Sequence, residues 1–196
     1  ILIAEAVRAG WHVEAQFLTP GASPIDGAGT VNFLADGVME KVATTETPQP
    51  ILAIVTRQFA DADILTSASF VIVADGISDP GNLGTILRSA EGAGADACVV
   101  TSGSVDPSNP KVVRSSAGSI FRLPILERVS LEDVARAGLI CVGTSSHLGS
   151  EYTSVDWTRR VAVVLGNEAH GLADASAVDE WVTIPQSGAG ESLNVA

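Results

Sequence analysis

Residues 70–90 read FVIVADGISDPGNLGTILRSA. The run FVIVAD is apolar at successive positions until its last residue, which is what a strand needs when both faces of its sheet are covered. Helical spacing takes over from Leu83, where Leu83, Ile86, Leu87 and Ala90 fall on one face of a 3.6-residue period. Between the two, Pro80 and Gly81 force a turn. Asn82 is placed as the cap of the helix, and Gly84 lets a second backbone or a ligand come close.

Four more runs of the same kind follow: ACVV (97–100), LICVG (139–143), VAVVLG (161–166) and WVTIP (181–185). Short apolar runs alternating with stretches long enough for helices predict an α/β domain with a mostly parallel sheet. Ligands of such sheets bind at loops beyond the carboxyl ends of the strands. The loops after FVIVAD, VAVVLG and WVTIP are therefore where chemistry is expected.

Upstream the chain changes character. Residues 1–9 read as a helix stopped by Gly10. VEAQFLT (13–19) alternates as a strand, PGASPIDGAG (20–29) is a loop, 34–42 carries a short helical pattern, and ILAIV (51–55) is an apolar strand. Together these make a small α/β unit over residues 1–57. The small, acidic stretch QFADADILTSA (58–68) is expected to be a linker, with the larger domain spanning 69–196. The chain starts at Ile1 within a helical pattern and stops inside SLNVA, so a longer protein is expected at both ends.

Composition narrows the class. With 196 residues and 46% hydrophobic content the chain can bury an ordinary core. It has no apolar run of membrane-spanning length and no secretory signal pattern, which points to the cytoplasm and away from membranes. Cys98 and Cys141 lie inside apolar runs and read as buried small hydrophobes. The net charge of -12, from 11 basic and 23 acidic residues, argues against nucleic acid as a partner. Yet Lys111, Arg114, Arg122 and Arg128 fall within eighteen residues, opposed only by Glu127. That cluster is either a solvated helix face or one basic patch on an acidic body.

Several chemistries are excluded. There is no GxGxxG loop for a dinucleotide and no GxSxG nucleophile elbow. His12, His147 and His170 lack partners at ligand spacing, so no metal is expected. Ser145, Ser146 and His147 are neighbours without a third group to orient them and do not make a catalytic dyad. Two readings of Arg88 stand: a side chain snorkelling to solvent, or a guanidinium held for function. Glu168 reads either as a carboxylate favouring a helix start or as a partner for a guanidinium.

Taken together and in order, NLGTILRSA, GNEAHGL and IPQSGAGESLNVA closely resemble the three motifs of the SpoU (TrmH) family of the SPOUT class, RNA ribose 2′-O-methyltransferases. The likeness covers residues 70–196. It implies an α/β catalytic domain tied in a deep trefoil knot, S-adenosylmethionine as cofactor with S-adenosylhomocysteine as product, and a homodimer. It assigns catalysis to Arg88, Asn82, Glu168, Ser192 and Asn194. It places Thr144, Gly166, Asn167, Ile184, Leu193 and Asn194 at the cofactor, held largely through backbone groups where glycines and small residues let a flat base approach.

Residues 1–57 bear a looser likeness to the small ribosomal-protein-like RNA-binding domain of the family's ribosomal RNA branch. NPKVVRSSAGSIFRLPI (109–125) resembles the segment after the first motif and turns the basic patch into an RNA surface of Arg88, Lys111, Arg114 and Arg122. The expected substrate is large-subunit (23S) ribosomal RNA; the alternatives are transfer RNA, whose branch typically lacks the front domain, or a non-catalytic RNA-binding role in ribosome assembly.

Overall fold

Gly10, at φ 77°, ends α1 (Leu2–Arg8), and its N–H bonds the Val7 carbonyl at 3.0 Å. The computed structural model describes residues 1–167, 170–172, 175–186 and 194–196, and forms two compact units, Ile1–Gln58 and Phe59–Ala196. In the first unit β1 (Val13–Leu18) is the central strand. It pairs in parallel with β2 (Thr30–Phe33); after α2 (Met39–Val42), β3 (Ile51–Val55) pairs with it antiparallel.

Two features depart from the sequence reading. The helical pattern over 34–42 yields only the single turn of α2, and Thr30–Phe33, which the sequence reading left unassigned, is a strand. Its four residues are all exposed, so no burial alternation marks it. The loop between β1 and β2 is fixed from below by Gln16, which is 1% exposed. Its Nε2 donates to the carbonyls of Ile25 (2.9 Å) and Ala28 (3.1 Å), and its Oε1 accepts from the Ile25 N–H at 2.8 Å. A buried amide is tolerated here because both its ends are bonded.

The second unit is built on β4 (Phe70–Ala74), α3 (Pro80–Gly92), β5 (Ala97–Val100), α4 (Pro110–Ser115), β6 (Ile125–Glu127), α5 (Leu131–Arg136), β7 (Ile140–Thr144), β8 (Ser150–Glu151), β9 (Val161–Leu165) and β10 (Glu180–Thr183). The sheet order is β6-β5-β4-β9-β7-β10-β8, and every pairing is parallel. The α/β class and the parallel sheet are as expected. The short strands β6 and β8, with three and two residues, carry too little pattern to be read from sequence.

Side chains alternate across this sheet. Val71, Val73, Val99, Cys141, Ala162 and Val164 join Leu131 and Val134 of α5 in one core. On α3, Leu83, Ile86, Leu87 and Ala90 are all buried, at the spacing read from sequence. Burial of each large side chain contributes roughly 1.5–3 kcal/mol.

Residues from Phe59 onward, expected as linker, belong to this unit. Ala62–Thr66 is a 3-10 turn capped by Asp61, and Leu65 and Ala68 are buried in the sheet's core. Arg160 clamps the turn by donating to the carbonyls of Leu65 (2.8 Å), Thr66 (3.1 Å) and Ala68 (2.9 Å). Asp61 and Asp63 are exposed, while Ala60 and Ile64 pack against the core that buries Leu65 and Ala68.

Candidate active site

The order β4-β9-β7-β10 makes neighbours of four parallel strands, so the loops that follow them leave one edge of the sheet side by side. That is where Thr144, Gly166 and Ile184 sit. Thr144 is half-buried at the end of β7, its hydroxyl donating to the Val164 carbonyl at 3.0 Å. Gly166 follows β9. A Cβ built there would lie 2.6 Å from the Gly171 carbonyl carbon and 2.8 Å from the Leu172 nitrogen. Its glycine therefore makes room first for the chain's own crossing backbone, a reason different from the flat-base approach expected. Ile184 is 55% exposed just beyond β10.

The loop after β4 is braced by residues that the sequence reading passed over. Asp75 is buried, and its carboxylate accepts from the Thr101 hydroxyl at 2.7 Å; that hydroxyl in turn accepts from the Gly76 N–H at 3.3 Å. Ser104 accepts from the Ile77 N–H and donates to the Ala74 carbonyl, both at 3.1 Å. The signal was the run of hydroxyl residues TSGS immediately after the apolar strand ACVV.

Asp79, not Asn82, caps α3. Its carboxylate accepts from the N–H groups of Gly81 (2.7 Å) and Asn82 (3.0 Å), and Pro80 occupies the first helical position. Asp followed by Pro is the usual helix opening, and reading Pro80 as a turn residue moved the cap three places along. Those bonds, the Asn82 N–H first, with Lys111 beside them, hold the Asp79 carboxyl below the usual range. Asn82 is half-buried in the first turn.

Arg88 is exposed two turns into α3, with no hydrogen bond or ion pair to its guanidinium among the described residues. Gly84, one turn earlier on the same face, is the contact point with α4: a Cβ there would lie 1.9 Å from Ser115 Oγ and 2.7 Å from the Val112 carbonyl oxygen. The close approach expected at Gly84 is thus made by a helix. It places Lys111 and Arg114, both exposed on α4, on the helix packed against the one that carries Arg88.

The basic cluster is partly neutralised. Lys111 Nζ lies 3.4 Å from Asp79 Oδ2. Arg122 grips Glu91 of α3 with two prongs, Nη2 to Oε2 at 2.9 Å and Nε to Oε1, which holds the Glu91 carboxyl below its usual range. The Arg122 fork, expected on RNA, faces a protein carboxylate.

Asn167, expected at the cofactor, directs its side-chain amide to protein: Nδ2 donates to the Gly76 carbonyl (2.8 Å) and the Ser78 hydroxyl (3.1 Å). Asn194 is exposed and its Oδ1 accepts from the Ala196 N–H at 3.2 Å. Glu168, Ser192 and Leu193 lie outside the described residues.

An all-parallel sheet with its motif loops gathered at one carboxyl edge is the architecture of a nucleotide- or cofactor-handling α/β domain. Residues 69–196 match the SpoU rRNA Methylase family, and the chain belongs to that family. It is 34% identical over 170 residues to the 23S rRNA (guanosine(2553)-2′-O)-methyltransferase of Bacillus subtilis, covering 84% of this chain and 67% of that protein. It is 33% identical over 174 residues to the 23S rRNA (uridine(2479)-2′-O)-methyltransferase of Streptomyces viridochromogenes, covering 82% of this chain and 61% of that one. The chain thus spans between three fifths and two thirds of the length of these two relatives. Among solved structures, the SpoU methyltransferase AviRb of Streptomyces viridochromogenes, in complex with the cofactor AdoMet, superposes with a TM-score of 0.86 at 29% identity, over 98% of this chain and 81% of that one.

Proposed function

We propose that this protein is an S-adenosylmethionine-dependent methyltransferase acting on a ribose 2′-hydroxyl of RNA, with large-subunit ribosomal RNA as substrate. The observation that carries the reading is that the strands leading into the family's motifs, β4, β9 and β10, end at one carboxyl edge of the sheet. The similar proteins named for 23S ribosomal RNA favour that substrate over transfer RNA.

The residues present fit the cofactor. Thr144, at the end of β7, and Gly166, just after neighbouring β9, are both half-buried, and Ile184 offers an exposed apolar side chain at the same edge. Neutral backbone groups beside an apolar wall suit an adenine ring. Thr144, Gly166, Ile184, Leu193 and Asn194 would hold it. When bound, S-adenosylmethionine supplies a methyl group on a sulfonium and leaves as S-adenosylhomocysteine.

Arg88 acts on the hydroxyl as a fixed cation. A guanidinium has donors and no acceptor, so it serves as a charge and not as a proton acceptor. A fixed charge beside the 2′-oxygen stabilises the negative charge that develops there, and its planar fork can grip a neighbouring phosphate. Asn82, Glu168, Ser192 and Asn194 shape the site and orient Arg88 or the ribose. Lys111 and Arg114 extend the cationic face along α4, with Arg122 a lesser contributor because Glu91 already holds it.

In this reading residues 1–57 bind RNA, the catalytic domain is tied in a trefoil knot, and the protein works as a homodimer in the cytoplasm. The test is incubation of the full protein with methyl-labelled S-adenosylmethionine and unmodified ribosomal or transfer RNA, followed by mapping of labelled riboses. Label at one 2′-oxygen of large-subunit RNA supports the proposal. Label only in transfer RNA moves the substrate to the other branch, and cofactor binding without label in either RNA points to a non-catalytic role.

A further inference from the structure

Asn167 follows β9 by two residues, and its backbone and side chain do separate things. Its N–H and carbonyl exchange bonds with the carbonyl and N–H of Gly171, both at 2.8 Å. Its side-chain oxygen accepts from the His170 N–H at 3.1 Å. Its side-chain nitrogen reaches to the Gly76 carbonyl at 2.8 Å and the Ser78 hydroxyl at 3.1 Å. Which end of the amide faces which partner is settled by chemistry, since a carbonyl can only accept. Gly76 takes part through its backbone: its φ of 66° is one that L side chains rarely adopt.

The segment that receives these bonds runs straight into the catalytic helix. Ser78 precedes Asp79, which caps α3, and α3 carries Asn82 and Arg88. The loop that gives them contains position 168. The Asn167 side chain joins the two loops.

We propose that Asn167 is a positioning residue for methyl transfer: its amide latches the end of β9 to the entry of α3 and so fixes where α3, with Asn82 and Arg88, stands against that strand end. This rests on the RNA methyltransferase reading above. It differs from a cofactor contact in what it demands of the side chain. The latch needs the two donor hydrogens of an amide, so an isosteric carboxylate fails and also sets charge against the Gly76 carbonyl. Small misplacement of reacting groups costs rate and leaves affinity nearly unchanged.

The experiment compares wild type, Asn167→Ala, Asn167→Asp and Ser78→Ala in the full protein, with ribosomal RNA and S-adenosylmethionine. Both Asn167 variants are expected to lose kcat by about tenfold to a hundredfold, with KM for S-adenosylmethionine within about twofold of wild type. Ser78→Ala, which removes one of the two bonds, loses less. Near wild-type kcat in Asn167→Asp overturns the latch, as does a raised KM for S-adenosylmethionine at unchanged kcat, which makes Asn167 a cofactor contact. Hydrogen exchange reads the latch independently of turnover. Faster exchange at the Ile77 and Asn82 amides in Asn167→Ala supports it even if wild type methylates no RNA, in which case the functional reading alone fails. Unchanged exchange at those amides overturns it.

Discussion

Arg88 is exposed on α3, and its planar fork can meet a phosphate or ribose with more than one donor at once. Arg88→Ala is expected to lower kcat by about a hundredfold to a thousandfold, the scale on which a single charge-stabilising donor acts. Arg88→Lys keeps the charge but not the planar fork, and should recover only part of that loss at saturating RNA. Turnover near wild type in the lysine variant would refute the two-pronged grip. The two cysteines are the opposite case, groups withdrawn from chemistry. Burial pushes the Cys98 thiol up to about 12, and burial together with Asp179 pushes Cys141 up to about 11. Only thiolates alkylate readily. Neither is expected to react with iodoacetamide in the folded protein, and both should label once it is unfolded in urea; mass spectrometry of the two samples checks this.

Packing of α3 on α4 turns on the absence of one methyl group. Gly84→Ala would set a Cβ 1.9 Å from Ser115 Oγ, a hydroxyl that also bonds the Pro80 carbonyl at 3.1 Å. The helices must part, at an expected cost of about 1–3 kcal/mol in urea unfolding. Gly92→Ala, at the far end of the same helix with nothing within 4 Å of the new Cβ, should be neutral or stabilising by up to about 1 kcal/mol. The contrast separates packing from helix propensity. Helix α3 was legible because burial of one face imposes a helical period on the residue types, and strands β4, β5, β7, β9 and β10 because burial on both faces makes them short continuous apolar runs. What escaped was local or two-sided. Strand β2 is exposed throughout, β6 and β8 are too short to show a period, and the Asp79 cap was hidden by taking Pro80 for a turn. The candidate site was legible only as a set of motifs in order. No pattern in the sequence announces that Asn167 bonds Gly76 across ninety-one positions, or that Glu91 occupies Arg122.

The second unit also ties distant segments by ion pairs whose carboxyls titrate below their usual range. Arg122 lowers Glu91, and Arg159, bonding Glu180 at 2.8 and 2.9 Å, lowers Glu180. A carboxyl depressed in the folded state leaves the unfolded chain holding more protons between the two values, so stability rises with pH across that window. It should be fully present above about pH 4.5, the ordinary value for a glutamate, and fall as pH drops below it. Calorimetry between pH 7 and 3 checks this; a midpoint that does not fall below pH 4.5 contradicts it. Acid also shrinks the net charge of -12, and that charge bears most on RNA. A chain so acidic attracts a polyanion only through a local face, and the face proposed here joins Arg88 on α3 to Lys111 and Arg114 on α4. Binding should therefore weaken steeply with salt despite the acidic total. Arg114→Glu is expected to flatten the slope of log K against log salt by about 0.7–0.9 for each phosphate the variant no longer neutralises. The affinity for S-adenosylmethionine, measured by calorimetric titration on the same variant, should not move, because that ligand is expected at the edge of the sheet and not on α4. Were the slope unchanged, the phosphate backbone would have to be met elsewhere on the protein, and α4 would be only the support on which α3 rests.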